Sequence, residues 1–393
     1  MVALLFLLSY VSVINTKTVT KISGIILLFL LQALFITTTY GQKPAVDSFV
    51  TGEMKRLHIP GFEACAIDSG KVVWTGYYGF QHIEKHIQVS GQTLFDVAST
   101  TKTITGAALM QLYAADRFKL DDDVNAYLDF SVRNPNFAKT PITFRELLRH
   151  RSSITDNNDY LGQFWDSSKG DPTVSLRDLL INYLSPDGAH YDRNKNFRHY
   201  PPNARAEYCN IGIALIGYLV ERLSGMPFDV FCKKQLFQPL AMHRTNWFLR
   251  NVDSQYIAMP YRYSDSLQQY QALDYEGFPD YPAGALYTNV EEFSHFLIAW
   301  TQHGRWNNRQ VMDSNAIQQL TPVDFNLGFH VWFLYGTDKG SLLYCHTGRG
   351  NGVSAFISYN PRSTKGLIFL TNGELNEAAD WRRIVDGLYE KVF

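Results

Sequence analysis

The chain has 393 residues, 46% of them apolar and 19% charged, with 36 Lys and Arg against 37 Asp and Glu. That is an ordinary globular composition, long enough for one large domain or two small ones. A formal net charge of −1 removes the electrostatic case for nucleic acid or for an anionic membrane surface.

The first 41 residues read as an address rather than as fold. Lys17 and Lys21 precede an apolar run from Ile22 to Ile36, with small residues after it at Thr39 and Gly41. This is the pattern of a cleavable signal peptide, with cleavage expected before Gln42. The protein is therefore expected to be exported, periplasmic or secreted. A retained N-terminal anchor is the alternative, and the only route to a membrane. Four cysteines follow, Cys65, Cys209, Cys232 and Cys345, too few for a disulfide framework and with no legible pairing.

Two β-rich runs, Phe62 to Ile67 and Val72 to Tyr78, flank Asp68-Ser69-Gly70-Lys71, which predicts a hairpin. His82, Glu84 and His86 would share one face of a strand, as metal ligands do. No further ligand cluster lies nearby, so the segment reads as a polar connector and no metal is expected.

From Phe95 to Ala115, small and apolar residues recur at helical spacing, so a buried helix begins near Ser99. Ser99 and Lys102 lie three apart, on one face of its first turn. A hydroxyl there sits beside free backbone N–H groups and the positive end of the helix dipole, where an oxyanion is favoured. A lysine in an apolar face tends to shed its proton and act as a base. A serine at a helix start is ordinarily just a cap, so the pair alone identifies nothing.

The acidic run Asp121 to Asp123 reads as a loop and helix start, and Thr143 with Glu146 as a capping box opening a short helix. His150 reads as an end-cap. Residues 157 to 206 form a loop-rich cover with one helical pattern, Leu176 to Leu184. Ile211 to Leu223 is a strongly apolar helix ending at Gly225, followed by a second helix from Phe228 to Phe237. A Tyr-rich irregular stretch, 251 to 290, leads to a helix from Val290 to Trp300. Strands are expected at Leu342 to His346, Val353 to Tyr359 and Leu367 to Thr371, then an amphipathic helix from Glu374 to Val392. β segments at both ends thus bracket a helical middle. This predicts an α+β fold whose antiparallel sheet is built from both termini, with helices packed beside it.

Two further elements give Ser99 its context. Tyr208-Cys209-Asn210 immediately precedes the apolar helix, and His346-Thr347-Gly348 ends a predicted strand. Ser-x-x-Lys opening a helix, Tyr-x-Asn in the helical part and His-Thr-Gly on a late strand, in that order, resemble the penicillin-recognising serine hydrolases. The chain is most similar to their class C β-lactamase-related branch, which also holds esterases, D-aminopeptidases and DD-carboxypeptidases. Thr93 to Lys102, Leu147 to Ile154 and Pro282 to Tyr287 add to a resemblance spanning roughly Ala45 to Phe393. No Gly-x-Ser-x-Gly elbow and no His-Glu-x-x-His motif compete with it.

The resemblance implies a β-lactamase/transpeptidase-like fold over one domain, 42–393, with a helical insert at roughly 103–300. It implies a serine hydrolase that forms an acyl-enzyme on Ser99 and cleaves a small amide or ester, of peptide, ester or β-lactam type. A DD-carboxypeptidase or a β-lactamase proper is the alternative, and outside enzymes, an inactive homologue that binds cell-wall peptides. Lys102 and Tyr208 share the role of base, the phenol being usable only where positive charge from Lys102 depresses its pKa. Asn210 would hold Lys102 or a substrate amide. The backbone N–H groups of Ser99 and Arg349 would hold the oxyanion, beside Thr347 and Gly348. The chemistry needs no cofactor, and a small-molecule or peptide substrate is the only partner it requires.

Three positions depart from the family pattern. His346 stands where most β-lactamases of the family carry lysine, and offers a weaker anion partner while remaining able to hydrogen-bond Tyr208. Arg349 is the cation that would bind a substrate carboxylate in its place. Cys209 and Ser153 replace a usual serine and a usual glycine, the first as a small filler and the second altering a local turn.

Overall fold

A computed structural model describes residues 43–165, 170–321 and 331–393. The expected signal peptide lies outside them. The helices labelled below are α1 (Pro44–Arg56), α2 (Thr101–Ala114), α3 (Phe144–Leu148), α4 (Asn158–Trp165), α5 (Leu176–Leu184), α6 (Asn210–Ser224), α7 (Phe228–Cys232), α8 (Val290–Thr301), α9 (Ser314–Leu320) and α10 (Ala378–Val392).

The described residues form a seven-stranded antiparallel sheet from β1 (Gly61–Asp68), β2 (Lys71–His82), β3 (Ile87–Gln88), β10 (Phe333–Gly336), β11 (Leu342–Gly350), β12 (Val353–Tyr359) and β13 (Gly366–Thr371). Short pairs lie outside it: β4 (Phe95–Asp96) with β7 (Tyr287–Thr288), β5 (Tyr261–Ser264) with β6 (Gln269–Ala272), and β8 (Arg305–Trp306) with β9 (Arg309–Gln310). The sheet order is β10-β11-β12-β13-β1-β2-β3, so the first strand pairs with the last, Phe62 opposite Thr371. This is the expected sheet built from both ends of the chain.

Its central strands β1, β12 and β13 read as continuous apolar runs because both faces are covered there. On β1, Phe62, Ala64 and Ala66 join a core with Val46 and Val50 of α1 and Ile384 and Leu388 of α10. The alternate residues Cys65 and Ile67 face a larger core with Phe293 and Leu297 of α8 and the helical region. The same two-residue alternation divides β13, where Leu367 and Phe369 go one way and Ile368 and Leu370 the other. Close packing of α1 on α10 is visible at Gly387, where an added Cβ would sit 2.2 Å from the Phe49 ring. The ion pairs Arg383–Glu53 and Arg56–Asp380 join the same two helices.

Most expected local features are present. The hairpin turns through Ser69 and Gly70, and Gly225 closes α6 at φ +71°, where a left-handed residue is needed. Both bonds of the Thr143–Glu146 capping box form. The second apolar helix divides into α7 and a π-helical turn, Lys233–Phe237. Glu84, weighed above as a metal ligand, is engaged by His82 at 3.1 Å and by the Tyr261 hydroxyl, which ties the β2–β3 turn to β5. All four cysteines are buried free thiols. α1 has no counterpart in the sequence reading above, and α10 begins at Ala378 rather than Glu374.

Candidate active site

Ser99 sits in a 3-10 turn, Ala98–Thr100, that runs directly into α2. The turn is held from both sides. The Asp96 carboxylate accepts the Ala98 N–H at 2.7 Å, and the Val97 carbonyl accepts the Thr100 N–H at 3.1 Å. Ala98 has φ +42°, a left-handed conformation that costs a non-glycine residue free energy and is kept only where surroundings enforce it. Strain therefore lies one residue before the serine.

Lys102, in the first turn of α2, is completely buried. Its Nζ donates to Ser99 Oγ at 2.9 Å and to the carbonyl of Ala283. The Pro282–Tyr287 segment that supplies this carbonyl is pinned to α2, with Thr105 Oγ1 donating to the Pro282 carbonyl at 2.6 Å. Burial pulls the lysine down to about 7, against the opposing charges of Asp156 and Asp280. A large fraction of it is thus neutral amine near pH 7, with a lone pair beside the serine proton.

Tyr208 reaches the pair from the N-terminal side of α6, and the Lys102 ammonium lies 4.8 Å from its ring centroid. The residue is 41% exposed, but its hydroxyl end faces Ser99. Burial of that end raises the phenol above its ordinary range, and the bond to Ser99 only partly offsets this. The expected depression by Lys102 does not occur, because the cost of burying the phenolate dominates and Asp156, Cys209 and Asp280 add to it. Between the two candidate bases, the electrostatics favour Lys102.

β11 passes beside the turn. A Cβ at Gly348 would lie 2.3 Å from the Val97 carbonyl, and one at Gly350 would lie 3.9 Å from the Ala98 Cβ. At position 348 only glycine permits this approach of the strand that carries Arg349 to the turn that carries Ser99. The Ser99 amide lies at a helix start, where N–H groups lack intrahelical acceptors. The Arg349 side chain is exposed at the cleft and donates to the Asn376 carbonyl at 3.3 Å.

Two expectations need correction. His346 does not hydrogen-bond Tyr208: the rings are 6.5 Å apart, its Nδ1 donates to the Thr347 carbonyl at 2.6 Å, and its Nε2 has no partner among the described residues. Burial and the charge of Lys102 push it down to about 3, so it is neutral and offers no cation to an anion. Asn210 does not hold Lys102 either. It lines the cleft, but its Nδ2 donates to Asp156 at 3.0 Å. Asp156 was not among the residues read from sequence, and neither was Asp280.

Ser99 opens onto a cleft of about 490 Å³ whose lining includes Trp165, Phe278, Asp96, Glu276 and Asp280. Burial raises Asp280 to about 6 and Asp96 to about 7. Arg262, also at the cleft, is neutralised by Glu374 at 2.7 Å. Ser153, in the usual glycine position, has φ +61°, which explains why a glycine suits that turn; its Oγ accepts from Asn134 at 2.9 Å.

Comparisons with known proteins bear on the family and the fold. The family profile described as Beta-lactamase matches residues 46–389. Protein flp of Staphylococcus aureus (strain MRSA252) is 24% identical over 336 residues, 85% of this chain and 64% of that protein. The chain thus spans just under two-thirds of the length of such curated relatives. A penicillin-binding protein homologue from Pyrococcus abyssi superposes with a TM-score of 0.73 at 20% identity, covering 88% of this chain and 76% of that one. D-amino acid amidase from Ochrobactrum anthropi SV3, complexed with L-phenylalanine amide, gives 0.70 at 17% identity, covering 88% and 98%. At such identities these two likenesses speak to fold.

Proposed function

This chain belongs to the β-lactamase family, and from that premise we propose that it is a serine hydrolase cleaving small amides or esters through an acyl-enzyme on Ser99. The observation that carries the proposal is the buried amine of Lys102, 2.9 Å from Ser99 Oγ at the floor of a cleft.

The steps follow from the geometry. Lys102 Nζ takes the Ser99 proton as Oγ attacks the substrate carbonyl carbon. The carbonyl oxygen becomes an oxyanion, held by the Ser99 and Arg349 amides. Collapse expels the amine or alcohol, which takes a proton from Lys102 directly or by way of the Tyr208 hydroxyl. Water, deprotonated by the same lysine, then attacks the ester carbonyl and returns Ser99.

The cleft lining bears on the substrate. Glu276 and Asp280 favour a cationic group at their part of the cleft, and neutral His346 supplies no counter-charge for an anion, which leaves that part to Arg349, exposed at the same cleft. An amide or ester carrying a free amine fits this lining, and Trp165 and Phe278 offer aromatic surface to its side chain.

The test is covalent. A fluorophosphonate probe should label the wild-type chain and not Ser99→Ala; equal labelling of both would refute the assignment. An amino-acid amide should be hydrolysed faster than its N-acetylated form, and the reverse order would overturn the substrate class.

A further inference from the structure

Tyr208 reaches Ser99 from a short corner ahead of α6, and that corner is gripped by residues from another part of the chain. The carboxylate of Asp156 accepts the Asn210 N–H at 2.8 Å, the Ile211 N–H at 3.0 Å, Asn210 Nδ2 at 3.0 Å and the Cys209 thiol at 3.3 Å. His150 grips the other side. Its carbonyl accepts the Glu207 N–H at 2.7 Å, its Nδ1 accepts the Cys209 N–H at 3.1 Å, and its ring lies 4.7 Å from the Tyr208 ring. Every residue from 207 to 211 is thereby contacted by one of these two side chains or backbones.

The grip is itself braced. The buried Tyr183 hydroxyl donates to the Thr155 carbonyl and accepts the Asn157 N–H, both at 2.7 Å, fixing the backbone on either side of Asp156. The Thr155 N–H is bound to the Asn196 carbonyl at 3.0 Å. His150 stands at φ +51°, a conformation retained against its intrinsic cost. Holding a helix start alone requires none of this, since the Cys209 Sγ already accepts the Gly212 N–H at 3.3 Å as an N-cap.

We propose that Asp156, supported by His150, is a positioning residue that sets Tyr208 against Ser99 and Lys102. The proposal rests on the serine-hydrolase reading above. Asp156 also faces Lys102 electrostatically, together with Asp280, Cys209, His346 and Tyr208. Its negative charge favours the protonated amine, so removing that charge lowers the pH at which Lys102 becomes a base.

A double-mutant cycle on hydrolysis of an amino-acid p-nitroanilide, whose anilide leaving group departs only when protonated, tests the inference. Asp156→Ala and Tyr208→Phe should each lower kcat by about 100-fold, the range of general acid–base effects. Combining them should cost little more than either alone, because both remove the same positioned hydroxyl. If Asp156 merely caps the helix, the two losses multiply, and the proposal falls. Asp156→Asn keeps the shape and at least one acceptor, so it serves where the alanine variant fails to fold. It should move the acid limb of kcat/KM to lower pH, and an unmoved limb also counts against the proposal. The two readings fail separately. A wild-type chain whose turnover survives Ser99→Ala defeats the hydrolase reading, whereas Ser99-dependent turnover with multiplicative losses defeats only the positioning role.

Discussion

At the scale of single residues, Lys102 carries opposite consequences for activity and for stability. Its native pKa near 7 lies well below the ~10.4 of an exposed lysine. Activity requires the neutral amine, so kcat/KM should rise with pH through about 7 and level off above it. A profile flat from pH 5 to 9 would contradict Lys102 as base. Because the unfolded chain binds the extra proton, stability should also rise with pH between the native and unfolded values. The same reasoning makes Lys102→Met inactive but more stable, by about 2 kcal/mol, since it removes the cost of burying an ionisable amine. Thermal unfolding at pH 6 would check this, and a lower Tm than wild type would refute it.

Residues differ in how far sequence reveals them. Ser99 and Lys102 were legible as a spacing because three residues of helix put them on one face, though the pair took its meaning only from the elements that follow it. Tyr208 and His346 were legible only through chain order and resemblance. Asp156 and Asp280 were not legible at all. Each is a lone carboxylate whose meaning comes from tertiary contact, Asp156 with a helix start 54 residues away. The His346 error has a physical cause: an imidazole has several possible partners, and burial decided among them.

At the scale of elements, the site is an approach of two backbones, the 3-10 turn and β11. Gly348→Ala would force a Cβ to within 2.3 Å of the Val97 carbonyl, so one of the two must move. Displacing the Arg349 amide from the oxyanion should lower kcat by about 100-fold or more, with KM little changed, as expected for a donor acting in the transition state. Steady-state kinetics on the same p-nitroanilide measure the split, and a loss confined to KM would contradict the assignment. The β elements were legible because β1, β12 and β13 are apolar runs of strand length between turn residues. α1 was missed because its buried stripe is narrow, with Val46, Val50 and Met54 among polar neighbours. Four-residue β10 carries too little pattern to separate from loop.

At the scale of the whole molecule, one face of the sheet is closed by two helices from opposite ends of the described domain. α10 covers Phe369 and Leu367 together with α1, and the ion pairs Arg383–Glu53 and Arg56–Asp380 cross between them. Deleting residues 378–393 would uncover this core while leaving every site residue in place. The truncated chain is expected to lose cooperative thermal unfolding and to bind a hydrophobic dye such as ANS. A sharp transition within a few degrees of wild type would show that α10 is dispensable.

The pairing of β1 with β13 also has a consequence in time. Phe62 meets Thr371 across the sheet, so a strand synthesised early waits for a partner made some 300 residues later. During translation β1 and β2 can form only a hairpin, and an isolated hairpin is marginal in water. The sheet closes once β13 leaves the ribosome, and the loop-closure entropy of so distant a contact makes that step slow. A nascent chain arrested before residue 366 should therefore leave β1 and β2 open to protease, and these strands should become resistant only once β13 has emerged.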